Sequence, residues 1–146
     1  MNHAVGAKLI LRNLAIALAI AAGGVAAAQQ PANSGRFMVF FDWGKPEIRS
    51  DDTATLDQVA AGWSANPGDM LDLAGHTDRS GSASHNLRAS RLRAEMVRDE
   101  LLKRGVAPAN IRIRAYGEDR PLVPTEDGVR EVQNRRVEIT FRSISR

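Results

Sequence analysis

Residues 70–103 read MLDLAGHTDRSGSASHNLRASRLRAEMVRDELLK. The run from Met70 to Ala74 is mainly apolar and predicts a short strand, and the polar residues from Gly75 to Gly81 predict a turn. Small and apolar residues then recur at helical spacing: Leu87, Ser90, Ala94, Val97 and Leu101. The sequence therefore predicts a strand, a turn and a long helix, which ends near Gly105.

Shorter patterns on either side predict one more helix and three more strands. Phe37 to Phe41 is a continuous apolar run, typical of a strand covered on both faces. Residues 50–52 supply candidate caps for a helix with Leu56, Val59, Ala60 and Trp63 at helical spacing. Apolar and polar residues alternate in two half-exposed strands, at Ile111, Ile113 and Ala115 and at Val137, Ile139 and Phe141. A loop over 117–128 and a short helical turn up to Asn134 separate these two strands.

The predicted order is strand, helix, strand, helix, strand, loop and strand. The first three strands can pair in parallel through right-handed crossovers. The last strand, reached without a long helix, is expected to be antiparallel. We therefore predict an α/β (α+β) fold, a βαβαββ sandwich in which two main helices cover one side of a mixed four-stranded sheet.

The first 28 residues have the parts of a secretory signal peptide. Lys8 and Arg12 precede an apolar run, and small residues follow at an A-x-A site that ends at Ala28. The uncharged stretch from Asn13 to Ala28 is shorter than the ~20 residues of a spanning helix. We predict a signal peptide over 1–28, a short linker over 29–35 and one domain over 36–146, with no spanning segment in the mature chain. An uncleaved anchor is the alternative.

Charge and cysteine content exclude several classes of function. The 146 residues include 20 Lys and Arg against 17 Asp and Glu, and no cysteine. Removal of residues 1–28 takes away Lys8 and Arg12 and leaves 18 basic against 17 acidic side chains, so no net field attracts a nucleic acid. The lack of cysteine excludes a disulfide scaffold, a thiol nucleophile and a lipid-modified N-terminal cysteine.

The polar side chains gather at the turn over 75–81 and on the helix that follows it. Ligands of α/β units bind beyond the carboxyl ends of parallel strands, and this turn is such an end. Asn86 and Arg93 lie seven positions apart, on one helix face and ~10.5 Å apart along the axis. Asp78 and Arg93 could present opposite charges to a zwitterionic ligand. The alternative is that Arg93 extends along the surface or pairs with a nearby acid.

Enzyme and metal sites have little support in the sequence. His76, Asp78 and His85 include metal-binding residue types, but their spacing matches no strong motif. There is no G-x-S-x-G nucleophile elbow and no phosphate-binding loop. We expect His76 to hydrogen-bond within the turn. We predict a protein that is not an enzyme and uses no cofactor and no metal.

Several motifs, in order, resemble those of the OmpA-like peptidoglycan-binding domain, which also occurs in Pal lipoproteins and MotB stator proteins. The matching segments are Val39-Phe40-Phe41-Asp42, Gly75-His76-Thr77-Asp78, Gly81-Ser82, Asn86, Arg93-Ala94, Tyr116-Gly117-Glu118 with Pro121, and Asn134-Arg135-Arg136-Val137-Glu138-Ile139. The resemblance covers about residues 36–142. Departures are Arg79 after the aspartate and Ala89 in place of the usual leucine.

The resemblance implies non-catalytic binding of peptidoglycan through the meso-diaminopimelate of its stem peptides. In that family an aspartate and an arginine hold the free end of this amino acid, which maps onto Asp78 and Arg93. Asn86 matches an asparagine that orients the turn or the ligand, and Thr77 lies next to the aspartate. Arg135 or Arg136 matches the family's last motif, and alternation with an inward Val137 favours Arg135.

The predicted location is the periplasm, with possible association with the outer membrane, and the predicted role is in the integrity of the cell envelope. The alternative is a module of the same fold that binds an envelope protein and no glycan. A wall hydrolase is a third hypothesis, which a lack of soluble fragments from incubated cell walls would remove.

Overall fold

A computed structural model describes residues 35–144, which form four strands and two long helices. The elements are β1 (Arg36–Phe40), α1 (Thr53–Ala65), β2 (Met70–Gly75), α2 (Ala83–Lys103), β3 (Ile111–Ala115) and β4 (Arg136–Arg142). Short 3-10 turns cover Ser50–Asp52, Pro108–Asn110 and Val132–Asn134. The predicted signal peptide, and all of the predicted linker except Gly35, lie outside the described residues.

The strands form one mixed sheet in the order β1-β4-β2-β3. β2 and β3 are parallel, and β4 is antiparallel to both β1 and β2. The predicted fold class and the antiparallel last strand are confirmed. The prediction that the first three strands pair with one another is wrong for β1, because β4 lies between β1 and β2.

Both helices pack on one face of the sheet, where alternate strand residues point inward. The buried apolar core is Val39, Phe41, Leu56, Val59, Ala60, Leu71, Leu73, Ala94, Val97, Leu101, Val106, Val137 and Ile139. β1 is an edge strand, and its outward-facing Met38 and Phe40 are only half-buried. The prediction of a strand covered on both faces is therefore wrong for the outer face. Leu87, predicted for the apolar helix stripe, is exposed instead.

Helix α2 begins and ends where the sequence chemistry predicts. The Ser82 hydroxyl accepts a hydrogen bond from the backbone N–H of His85 at 3.3 Å, which caps the helix start. Gly105 follows the helix with a φ of 92°, a left-handed conformation that favours glycine. No helix within residues 35–144 combines the length and the apolar character needed to cross a membrane.

Helix α2 lies unusually close to the end of β2. A Cβ at Gly75 would lie 2.0 Å from the backbone carbonyl oxygen of Ser90. The Ser90 hydroxyl accepts a hydrogen bond from the N–H of Gly117 at 2.9 Å and donates one to the Leu87 carbonyl at 2.8 Å. Gly75 and Ser90 therefore fix the distance between the helix and the carboxyl end of the sheet.

We expect Gly75→Ala to destabilise the fold, because the added methyl group collides with backbone that cannot rotate away. Overpacking of this kind lowers the free energy of unfolding by about 1–3 kcal/mol. Because the clash here is with backbone, we expect a loss at or above the upper end of that range. Urea denaturation followed by circular dichroism measures the change. Gly68→Ala is the matched control, since nothing lies within 4 Å of a Cβ built there. A Gly75→Ala variant as stable as that control would contradict the close packing.

Candidate functional site

A pocket of about 680 Å³ opens at the carboxyl end of β2, beside the first half of α2. Its size is within the range of small-ligand sites. The five side chains singled out from the sequence all line it: Thr77, Asp78, Asn86, Arg93 and Arg135. The structure therefore brings the predicted site residues together in one cavity.

The Asp78 carboxylate is buried and accepts four hydrogen bonds. Its Oδ1 accepts from the backbone N–H of Ser80 at 3.1 Å and from the Ser80 hydroxyl at 2.6 Å. Its Oδ2 accepts from Arg135 Nη1 at 2.7 Å and from the N–H of Glu131 at 3.2 Å. Burial acts to raise the pKa of Asp78, but these hydrogen bonds outweigh it and lower the pKa below its ordinary value. The group therefore stays ionised.

Arg135 and Asn86 hold Asp78 and its turn in place. Arg135 Nε donates to the Phe41 carbonyl at 3.0 Å, so the guanidinium links β1 to the Asp78 carboxylate. The Asn86 amide donates to the Asp78 carbonyl at 3.3 Å and to Glu118 Oε2 at 2.6 Å. Of the two arginines of the last motif, Arg135 lines the pocket, whereas Arg136 pairs with Glu138.

Arg93 is buried in the pocket wall without an acidic partner. No carboxylate of residues 35–144 lies within 4.0 Å of its guanidinium. Its Nη1 donates to the His76 carbonyl at 3.4 Å, and its guanidinium carbon lies 5.5 Å from the Phe41 ring centroid. Burial, then the nearby Arg135 charge, lowers the pKa of Arg93, whereas Asp78 raises it. The acid available for pairing is taken by Arg135, so Arg93 keeps free donors in a partly desolvated wall.

The hydroxyl of Thr77 is also without a partner. Its Oγ1 is buried and makes no hydrogen bond, although its backbone N–H donates to the Gly117 carbonyl at 2.8 Å. A buried hydroxyl without a partner costs stability unless a ligand or water satisfies it. Thr77 and Arg93 are thus two polar groups of the pocket with unused hydrogen-bonding capacity.

Sequence reasoning missed the outer part of the pocket. Trp43, assigned only as the end of the first strand, is half exposed and lines the rim. Its indole Nε1 donates to the Ser80 hydroxyl at 3.2 Å, and the guanidinium carbon of Arg130 lies 3.5 Å from the indole centroid. Trp43 lies three residues beyond the end of β1, a strand that runs in the same direction as β2. This position at the same edge of the sheet is the signal that could have identified it.

The charges that line the pocket are mostly positive. They are the cations Lys45, Arg88, Arg93, Arg130 and Arg135 and the carboxylate of Asp78. Asp78 neutralises Arg135, so the surplus charge is positive and favours anionic groups of a ligand. Within the described chain no group of three or more His, Asp or Glu side chains could hold a metal ion.

The His76 side chain, next to the pocket, does not make the hydrogen bond that the sequence analysis expects. Its ring stacks on Tyr116 with centroids 5.3 Å apart, and neither ring nitrogen makes a hydrogen bond. The expected hydrogen bond within the turn is therefore wrong for the side chain. Burial and the charge of Arg136 lower the pKa of His76 to about 4, although Glu138 acts in the opposite direction. Burial and the Arg136 charge therefore favour the neutral form of the ring, although Glu138 Oε1 lies 3.8 Å from its Nε2.

Comparison with known proteins agrees with this fold. The OmpA family model matches residues 40–135. An outer membrane protein of Gluconacetobacter diazotrophicus is 34% identical over 75% of this chain and 30% of its own. A peptidoglycan-associated lipoprotein of Rhizobium meliloti is 36% identical over 67% of this chain and 56% of its own. The chain thus spans less than two thirds of the length of these curated relatives.

Solved structures have the same architecture. The peptidoglycan-associated lipoprotein of Burkholderia pseudomallei matches with a TM-score of 0.68 and 28% identity, over 73% of this chain and 90% of its own. The C-terminal domain of Helicobacter pylori MotB matches with a TM-score of 0.65 and 23% identity, over 76% of this chain and 86% of its own. This second match shows that the two proteins share a fold.

We expect His76 to make the fold sensitive to mild acid. The folded pKa of about 4 lies below the ordinary 6.5, so between these values the unfolded chain binds more protons. The free energy of unfolding should therefore decrease as the pH falls below about 6.5, by up to about 1.4 kcal/mol per pH unit. Urea denaturation from about pH 7 to about pH 5 measures the slope.

His76→Gln removes the titrating ring, so its unfolding free energy should depend less on pH than that of the wild type. His85→Gln, the same substitution at an exposed histidine, serves as the matched comparison. Equal slopes for His76→Gln and the wild type would show that the ring is not the group that titrates.

Proposed function

Because the chain belongs to the OmpA family, we propose that its pocket binds peptidoglycan non-covalently, through the free end of meso-diaminopimelate in the stem peptides. The observation that carries this proposal is Arg93, a buried guanidinium that faces the pocket and has no carboxylate partner among residues 35–144. A planar guanidinium with free donors is matched by a carboxylate, which it binds in a bidentate manner.

Each part of the amino-acid end of diaminopimelate has a counterpart in the pocket. Its carboxylate binds Arg93, and its ammonium group lies on the side of Asp78, whose negative charge attracts it. Thr77, which lines the pocket next to Asp78, lies beside this ammonium group. Asn86 and Arg135 act by holding the turn and the Asp78 carboxylate in position.

The pocket supports binding without turnover. The Ser80 hydroxyl, a possible nucleophile, donates to the Asp78 carboxylate and accepts from the Trp43 indole. The His76 ring stacks on Tyr116 and makes no hydrogen bond, so it is not arranged as a base for that hydroxyl. We therefore propose a protein that is not an enzyme and that contributes to the integrity of the cell envelope.

This function requires the domain to meet the cell wall. A signal peptide over residues 1–28, as the sequence predicts, would deliver the chain to the periplasm. The relatives named peptidoglycan-associated lipoprotein and outer membrane protein support a location at the envelope, next to the outer membrane.

A second candidate function is the binding of an envelope protein. Trp43 and Leu92 are both about half exposed, and both line the pocket. Exposed apolar side chains that lie together mark interaction surfaces. Capture of a partner from envelope extract that added muropeptide does not displace would favour this candidate over wall binding.

Arg93→Met tests the proposal most cleanly, because methionine keeps apolar contact with Phe41 and removes the guanidinium. We expect the affinity for purified sacculi, measured by co-sedimentation, to fall about tenfold or more, the effect of losing charge-assisted hydrogen bonds. Arg91→Met, an exposed change on the same helix, should bind as the wild type does. Free meso-diaminopimelate should release the wild type from sacculi, and cadaverine, which has two ammonium groups and no carboxylate, should not.

Sedimentation of Arg93→Met at wild-type affinity would refute this site. Asp78→Asn is a less specific probe, because it leaves Arg135 buried without its carboxylate. Loss of one partner of a buried ion pair costs about 3–5 kcal/mol, so weaker binding would be mixed with unfolding.

A further inference from the structure

The rim of the pocket carries more positive charge than the amino-acid end of one diaminopimelate requires. That end has one carboxylate and one ammonium group, which Arg93 and Asp78 match. Three further cations line the rim: Lys45, Arg88 and Arg130. All three are exposed, and no carboxylate of the described chain lies within 4.0 Å of their charged groups. A ligand with a second carboxylate would complement this surplus.

Of these three cations, Arg130 is the one that packs on an aromatic ring of the described chain. Its guanidinium carbon lies 3.5 Å from the centroid of the Trp43 ring, so its flat face is stacked on the indole. Stacking occupies the face of a guanidinium and leaves its N–H donors free in the plane. None of these donors has an acceptor among residues 35–144.

Hydrogen bonds connect the Trp43–Arg130 stack to the deeper part of the pocket. The Trp43 indole donates to the Ser80 hydroxyl at 3.2 Å, and that hydroxyl donates to Asp78 at 2.6 Å. The Ser80 side chain thus lies between the Trp43–Arg130 stack and Asp78, the carboxylate that attracts the ligand ammonium in the proposed function.

We propose that these rim cations, with Arg130 at their centre, bind the free α-carboxylate of the D-glutamyl residue that precedes diaminopimelate in the stem peptide. This residue is joined to diaminopimelate through its γ-carboxyl group, so its α-carboxylate remains as a negatively charged branch. The inference rests on the proposed function and adds selectivity to it. The pocket distinguishes stems with this carboxylate free from stems in which it is amidated.

Two synthetic tripeptides test the inference by isothermal titration calorimetry. One is L-alanyl-γ-D-glutamyl-meso-diaminopimelate, and the other has the carboxamide, D-isoglutamine, in place of the free α-carboxylate. They share both ends and differ in one charge. We expect the wild type to bind the free acid about three to ten times more tightly, the effect of one partly exposed charge-assisted contact.

Arg130→Ala should lose this preference and bind both tripeptides with the affinity of the wild type for the amidated one. Trp43→Ala should reduce the preference, because it removes the surface that orients Arg130, and Trp43→Phe should retain most of it. Arg91→Ala is the matched control: it removes an exposed arginine outside the pocket, and we expect it to preserve the preference.

The outcomes separate this inference from the function on which it rests. Equal binding of both tripeptides by the wild type would overturn the inference, as would a preference that survives in Arg130→Ala or disappears in Arg91→Ala. Failure of the wild type to bind either tripeptide or free meso-diaminopimelate would instead overturn the proposed function. Arg130 is exposed, and circular dichroism of Arg130→Ala verifies that the fold is unchanged.

Discussion

The buried carboxylate of Asp78 is the interaction on which the site depends. Through Ser80 it is bonded to the turn after β2. It also accepts hydrogen bonds from Arg135, the residue before β4, and from the N–H of Glu131 in the preceding loop. A buried charge is stable only when it is paired and hydrogen-bonded, and here both conditions hold. The pairing with Arg135 has a second consequence, because it leaves Arg93 without an acid and available to a ligand.

Helix α2 supplies Arg93 from a rigid position. Gly75 permits the backbone of β2 to meet the helix at Ser90, and a larger residue would push the two apart. Asn86 and Arg93 lie on the helix face that this contact turns toward the pocket. The site is therefore built on regular elements at the carboxyl end of the sheet, an arrangement that keeps charged groups in a fixed geometry.

The sequence was sufficient for the helices and strands and for the inner part of the pocket. Helical spacing put Asn86 and Arg93 on one face, and alternation selected Arg135, because both are local properties of the backbone. The position of β4 between β1 and β2 was not predictable in this way, since strand order depends on long-range pairing. The Trp43–Arg130 stack joins residues that are far apart in sequence, so local patterns could not predict it. The His76 ring makes no hydrogen bond and stacks on Tyr116, which is also a contact between distant residues.

The central claim is that a carboxylate and an ammonium group of one amino acid bind between Arg93 and Asp78. NMR chemical-shift mapping with free meso-diaminopimelate tests it most directly, on protein labelled so that backbone amides and arginine side chains are both observed. We predict that the largest changes occur at Thr77, Asp78 and the Arg93 guanidinium. Changes confined to the outer face of the sheet, around Arg112 and Arg114, or none at all, would contradict the account.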